Sequence, residues 1–262
     1  MAKVNGPFQF TGKLGDLIFY KLPGSDQIYV RYASGPSRDR VKNAPEFANT
    51  RDHNSEFNGA TKAASLLQKS CGEIRFLKDY NYFGDLVKFI MRMRKADEIN
   101  PKGERSILFS KKGYILDGFN FNKSKPFDTL VRYPIGFSIS REHSKATVQI
   151  PELIPNYNFY PAKDQSLYEI RISFAMIADM VYASNDYRPI VTCNDLHLEA
   201  TTGWHAVIEP QQAKTLELSL PTIPGESCSL ALLIGIRYGT RLGDGTVLPV
   251  PKKGSGKILS IR

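Results

Sequence analysis

Residues 167–181, LYEIRISFAMIADMV, decide the fold class. Successive side chains of a strand point to opposite faces, so Tyr168, Ile170, Ile172 and Phe174 fall on one side and Glu169, Arg171 and Ser173 on the other. The alternation predicts a β-strand. Working outward, strand signals recur at 135–141 (IGFSISR), 145–150 (KATVQI), 196–208 (LHLEATTGWHAVI), 215–220 (TLELSL), 229–238 (SLALLIGIRY), 246–250 (TVLPV) and 256–261 (GKILSI). Leu216, Leu218 and Leu220 repeat the two-residue period. Pro151, Pro155, Pro161, Pro189, Pro210, Pro221 and Pro224 punctuate the stretches between strands. Short strands with turns between them predict an antiparallel β-sandwich of the immunoglobulin or fibronectin III type over residues 126–262.

Residues 1–125 have a different texture and are expected to form a separate, basic region of hairpin and helices. The expected fold class is therefore α+β. Strands at 15–21 (GDLIFYK) and 27–33 (QIYVRYA) flank Leu22-Pro23-Gly24-Ser25-Asp26. Pro presets its own φ and Gly accepts a positive φ, so a reversal is favoured there. Ile18 and Tyr20 share one face of this hairpin; Leu17, Phe19 and Lys21 share the other. An isolated hairpin is marginal in water, so both faces call for burial or a partner strand.

Residues 34–45 (SGPSRDRVKNAP) read as an extended basic arm with Arg38, Arg40 and Lys42, too poor in apolar residues to pack by itself. Asn43, Pro45 and Glu46 fit a capping box with Asn43 as N-cap, starting a helix over 44–70. Its apolar stripe is thin (Phe47, Phe57, Ala60, Ala64, Leu67), so it needs tertiary support or a partner. A second helix, 81–96, carries Phe83, Leu86, Val87 and Ile90 at helical spacing. Asp85 lies near its start and Arg92, Arg94 and Lys95 near its end, where each complements the helix dipole. Residues 97–126 read as a connector with short strands at 107–109 and 114–116.

Bulk composition narrows the function classes. Apolar residues are 42% and charged residues 23% of 262, and 15 Phe with 13 Tyr exclude extensive disorder. The net charge is +9; residues 1–125 hold 22 Lys+Arg against 13 Asp+Glu, and the rest of the chain is balanced. Such asymmetry points to an acidic partner for the first half or to a solvated basic surface. Cys71, Cys193 and Cys228 are odd in number and lack CxxC spacing, which argues against a disulfide framework or structural zinc and for reduced thiols. No secretory leader or 20-residue apolar run is seen, so a cytoplasmic protein without membrane insertion is expected, unless a virion-like or exported particle carries it.

Chemistry-bearing motifs fail on context. Gly12-Lys13-Leu14-Gly15 leads into a strand, not a helix, so it is no phosphate loop. His53, His143, His197 and His205 show no HExxH or HxH spacing. Gly254-Ser255-Gly256 is a turn before a strand, not a nucleophile elbow. Cys71 near a helix end is not an activated thiol, and nothing selects among the carboxylates Glu73, Asp79 and Asp85. The expectation is no enzyme, no catalytic residue, no metal, no cofactor and no small-molecule substrate.

The stretch Thr11-Gly12-Lys13-Leu14-Gly15, with Phe19, Tyr29-Val30-Arg31, Pro36, Arg51, Asn54 and Phe57, resembles the opening of a loosely defined group of bacterial and prophage-associated proteins. Those share a TGxxG element, a hairpin ending in a YVR-like motif, a polar arm and a helix. The resemblance covers residues 10–57 and implies a virion-like, prophage-like or other assembly component, or a protein of unknown function, with no catalytic residues.

Together these readings predict a structural or assembly protein that binds protein subunits through Tyr29, Arg31, Arg38, Arg40, Lys42 and Arg51, with a secondary basic cluster at Arg92, Arg94 and Lys95. The alternative is a nucleic-acid-binding protein using the same basic half, Lys and Arg on phosphates and tyrosine on unstacked bases. Tyr29 and Tyr32 point to opposite faces of their strand, so one of them at most stacks freely.

Overall fold

The computed structural model describes residues 2–4, 6, 10–79, 82–162, 164–191 and 196–262. The fold is mixed α+β with several antiparallel sheets, and the chain divides into two compact units, Met1–Arg51 and Asp52–Arg262.

In the first unit β1 (Ala2–Val4), β2 (Gly12–Leu14), β3 (Leu17–Lys21) and β4 (Ile28–Tyr32) form one antiparallel sheet in the order β1-β4-β3-β2. The central hairpin is the one predicted: Tyr20 pairs with Tyr29 and Phe19 with Val30. Its turn closes where the Ser25 N–H donates to the Leu22 carbonyl at 3.0 Å, with Gly24 at φ 78°, a conformation glycine reaches without strain. The glycine-rich lead-in is itself a strand, β2.

The arm is helical rather than extended. Ser37 accepts the Arg40 N–H at 3.2 Å and starts α1 (Arg38–Asn43). Asn43 is not an N-cap: its Nδ2 donates to Asp39 at 2.7 Å. Pro45 disfavours a helical residue before it, so α1 ends and Ala44 is extended. A 3-10 turn at Pro45–Phe47 then feeds α2 (Ala48–Ser70).

The second unit takes up most of α2, a 3-10 turn at Gly72–Phe76, α3 (Tyr82–Met93), α4 (Phe109–Lys112) and α5 (Phe127–Leu130). The connector strands expected at 107–109 and 114–116 are instead α4 and a following 3-10 turn, with Ile107 alone bridging to Met180. Among the described residues ten strands follow: β5 (Gly136–Ser140), β6 (Lys145–Ile150), β7 (Leu167–Ala178), β8 (Met180–Ala183), β9 (Asp186–Pro189), β10 (His197–Thr201), β11 (His205–Ala206), β12 (Lys214–Ser219), β13 (Cys228–Arg241) and β14 (Val247–Ile261). They make a five-stranded antiparallel sheet, β10-β7-β13-β14 with β11 also on β7, a three-stranded sheet β12-β6-β5, and the hairpin β8-β9. The segments at 246–250 and 256–261 are one strand, β14, rather than two.

β7 and β13 are long, apolar and central, and they carry the core. Tyr168, Ile170, Ile172 and Phe174 bury with Leu232 and Ile234 of β13 and with Val148 and Leu216 of the smaller sheet. The opposite face is buried too: Ile177, Ala231, Leu233 and Ile258 share a cluster with Ala63, Leu67, Ile90 and Phe121. The compact boundary therefore lies at Arg51/Asp52 and not at 125/126, because residues 52–125 supply the apolar layer that covers this sheet.

Candidate functional site: a two-faced sheet and a basic helix

Cross-strand partners in an antiparallel pair project to the same face. The register of the first unit thus sorts its side chains. Leu14, Leu17 and Tyr32 align across three strands, and Phe19 and Val30 pair beside them on that same face. The Phe10 ring stacks on Phe19 at 4.4 Å. Lys13, Ile18, Tyr20, Tyr29 and Arg31 share the other face. One face is thus mainly apolar, with Lys21 opposite Ile28 at its end, and the other is mainly cationic and aromatic. Leu14 is 61% and Tyr32 75% exposed, and among the described residues of this unit Ile28 is the one buried side chain.

The predicted site residues separate into two groups. Tyr29 stacks on Tyr20 at 6.0 Å, and the Arg31 guanidinium lies 6.0 Å from the Tyr20 ring centre. Arg38, Arg40 and Lys42 come together on the short α1 and are exposed. Arg40 holds Glu46 at 2.9 Å and lies over Phe47, an exposed pair of small energetic weight. Arg51 is internal to the fold: its Nη1 donates to the carbonyls of Val41 and Ala44 at 3.1 and 2.8 Å, closing the C-terminal end of α1. In the second unit Arg92 covers the Phe89 ring at 5.0 Å, and Arg92 and Lys95 are exposed. Arg94 is taken up by Glu56 at 2.9 Å and is largely buried.

The polar centre that sequence reasoning missed is Glu56. Its buried carboxylate accepts Nε and Nη2 of Arg105 at 2.6 and 3.0 Å and the Gly103 N–H at 3.1 Å, beside Arg94. Burial pushes its pKa up, but Arg105, the Gly103 N–H and Arg94 together hold it below the ordinary glutamate value. A second network joins Glu169, Arg171, Glu199, Arg237 and Glu73 on the helix-covered face of the large sheet. No spacing rule relates residues 56, 94 and 105, so nothing in the sequence signalled these partners.

The remaining chemical candidates have structural surroundings. Cys71 and Cys228 are buried, and burial pushes the Cys71 thiol up despite Arg75 and Lys78; Cys193 lies outside the described residues. Glu73 pairs with Arg237, Asp85 with Lys123, and Asp79 accepts the Lys123 N–H at 2.8 Å. His53, His143 and His197 are exposed, and the His205 ring lies 6.0 Å from that of Tyr168. Among the described residues no three His, Cys, Asp or Glu side chains group in a way that would hold a metal ion. No described helix is long and apolar enough to cross a membrane. Compared with protein-family models, curated proteins and solved structures, the chain gives no significant match in any of the three.

Proposed function

We propose that the protein is a non-enzymatic structural or assembly component that attaches to a neighbouring protein subunit through its first unit. One observation carries the reading: in a four-stranded sheet Leu14 and Tyr32 are exposed, Leu17, Phe19 and Val30 are only half-buried, and Ile28 is the one buried side chain among the described residues. Units of this size rarely hold without a further staple or a partner. The apolar face of Leu14, Leu17, Phe19, Val30 and Tyr32 is the contact, and α1 with its exposed Arg38 and Lys42 steers an acidic neighbour. The particle is virion-like or prophage-like, made in the cytoplasm. The second unit is its scaffold, and residues 126–262 are read as an Ig-like sandwich because the five-stranded and three-stranded sheets feed one core cluster.

Size-exclusion chromatography with light scattering on the full chain tests this. The expected mass is a multiple of 29.4 kDa, or a complex with the neighbour, reduced to one chain by Leu14→Asp with Tyr32→Asp. A monomer at high concentration, with and without candidate partners, refutes it.

The cationic face favours a second reading, single-stranded nucleic acid, since Lys13 and Arg31 flank Tyr20 and Tyr29. It predicts binding to an oligonucleotide that weakens steeply with salt. No gel shift at low salt removes it.

A further inference from the structure

β13 and β14 pair regularly through Ile236–Ser255 and Arg237–Gly254, and pairing resumes at Gly239–Pro249. Between those points Tyr238 alone stands opposite residues 250–253, so the edge strand carries a bulge there. Within the bulge Lys252 sits at φ 57°, a left-handed conformation that side-chain-bearing residues rarely adopt. Bulges and strained residues of this kind gather beside binding sites, where they re-aim side chains.

Here the bulge walls a cavity of about 870 Å³, within the size range of small-molecule sites. Phe76, Leu77, Phe83, Pro249, Val250 and Pro251 make it mainly apolar. A smaller chamber of about 340 Å³ shares Lys78, Asp79 and Lys252 with it and adds Lys125 and Lys253. The charges do not cancel. Arg237 is held by Glu169 and Glu73, and Lys253 by Asp164. Asp79 accepts a backbone N–H. Lys78 rests on the Tyr82 ring at 5.0 Å. Among the described residues Lys78, Lys125 and Lys252 have no carboxylate partner.

We propose that this groove binds a small amphipathic anion, its apolar tail in the larger chamber and its single negative head on Lys78 and Lys252, the two lysines common to both chambers. Apolar walls supply the affinity, and the unpaired ammonium groups select the charge. The site lies wholly in the second unit, so its test is independent of the attachment reading.

The full chain is titrated with anilinonaphthalene sulfonate, an amphipathic anionic fluorophore, and the bound dye is displaced with octanoate or with its neutral counterpart octanol. Saturable binding is expected, with octanoate competing about tenfold better than octanol. Lys78→Gln with Lys252→Gln weakens dye and octanoate by at least about tenfold while leaving octanol unchanged. Val250→Trp, which fills the chamber, weakens all three. Both variants keep the wild-type near-ultraviolet circular dichroism. Sedimentation with phosphatidylglycerol vesicles, lost in the double variant, assigns the head to a lipid; octanoate binding without sedimentation assigns it to a free acid. Equal competition by octanol, or unchanged binding in the double variant, overturns the proposal, as does no dye binding.

Discussion

Glu56 and Arg105 form a two-pronged ion pair across a separation of 49 residues, with N···O distances of 2.6 and 3.0 Å and a carboxylate side chain only 1% exposed. Removing one member of a buried pair strands the other's charge. Glu56→Ala is therefore expected to lower the unfolding free energy by about 3–5 kcal/mol, because Arg94 and Arg105 lose their shared acceptor. Urea denaturation of the full chain measures it; a loss under 1 kcal/mol would show that water replaces the carboxylate.

The same carboxylate sets an acid limit. For Asp97, burial acts upward, but the Asn100 side chain and the N–H groups of Ser106, Asn100 and Ile99 outweigh it, so Asp97, like Glu56, titrates below its ordinary value. When the folded pKa is depressed, the unfolded state binds the proton first. The stabilisation is then complete above the unfolded values of 4.5 and 3.8 and is lost as pH falls below them. Stability should decline on acidification from about pH 5 downward, and less steeply in Asp97→Asn. Thermal melts between pH 3 and pH 7 check the slope.

Asp179 carries the opposite sign. Burial raises its pKa, and the Ser110 hydroxyl and N–H, which it accepts at 2.5 and 2.9 Å, only partly offset this. The folded state therefore holds this proton more tightly, and stability from it is lost as pH rises through the carboxylate range. Asp179→Asn keeps an acceptor without the buried charge, so its stability at neutral pH should equal or exceed wild type. Asp179→Ala leaves the Ser110 donors unmet and should cost about 1–3 kcal/mol. An asparagine variant as unstable as the alanine variant would contradict this assignment.

Gly254 of β14 pairs with Arg237 of β13 and leaves no room for a side chain. A Cβ there would stand 2.2 Å from the Ile236 carbonyl oxygen, at a φ of 137° that side-chain-bearing residues rarely adopt. Gly254→Ala should cost about 2–3 kcal/mol, since backbone cannot yield as a flexible side chain can. Gly225→Ala, which meets nothing within 4 Å, is the control and should be silent. Paired melting temperatures decide it.

Arg51 separates structure from binding among the basic residues. Arg51→Ala removes two charge-assisted hydrogen bonds to the end of α1 and should loosen residues 34–47 by about 1.5–3 kcal/mol, read as faster proteolysis there. Arg38→Ala and Lys42→Ala, both exposed, should leave proteolysis unchanged and weaken partner binding alone.

Elements set by local rules were readable in advance. The Pro-Gly turn, the alternation of Tyr168 to Phe174 and the period of Phe83 to Ile90 each specify a backbone within a few residues. The helical arm is hidden in the sequence because Ser37, a competent N-cap, lies in a Gly-Pro-Ser run that reads as loop, while Asn43 offers a rival cap that Pro45 overrules. The connector at 107–116 is ambiguous because short apolar runs fit a strand or a helix turn equally well.

What the sequence alone determined is the α+β composition, the central hairpin, the alternating strands and the confinement of excess charge to the first half, because each depends on neighbours along the chain. Tertiary structure alone decided that Glu56 meets Arg94 and Arg105, that Glu169 and Ser173 are buried beneath helices rather than solvated, and that residues 250–253 bulge to wall a cavity. Burial, ion pairing and strand register join residues tens to more than a hundred positions apart, and no periodicity along the chain encodes which of them will meet.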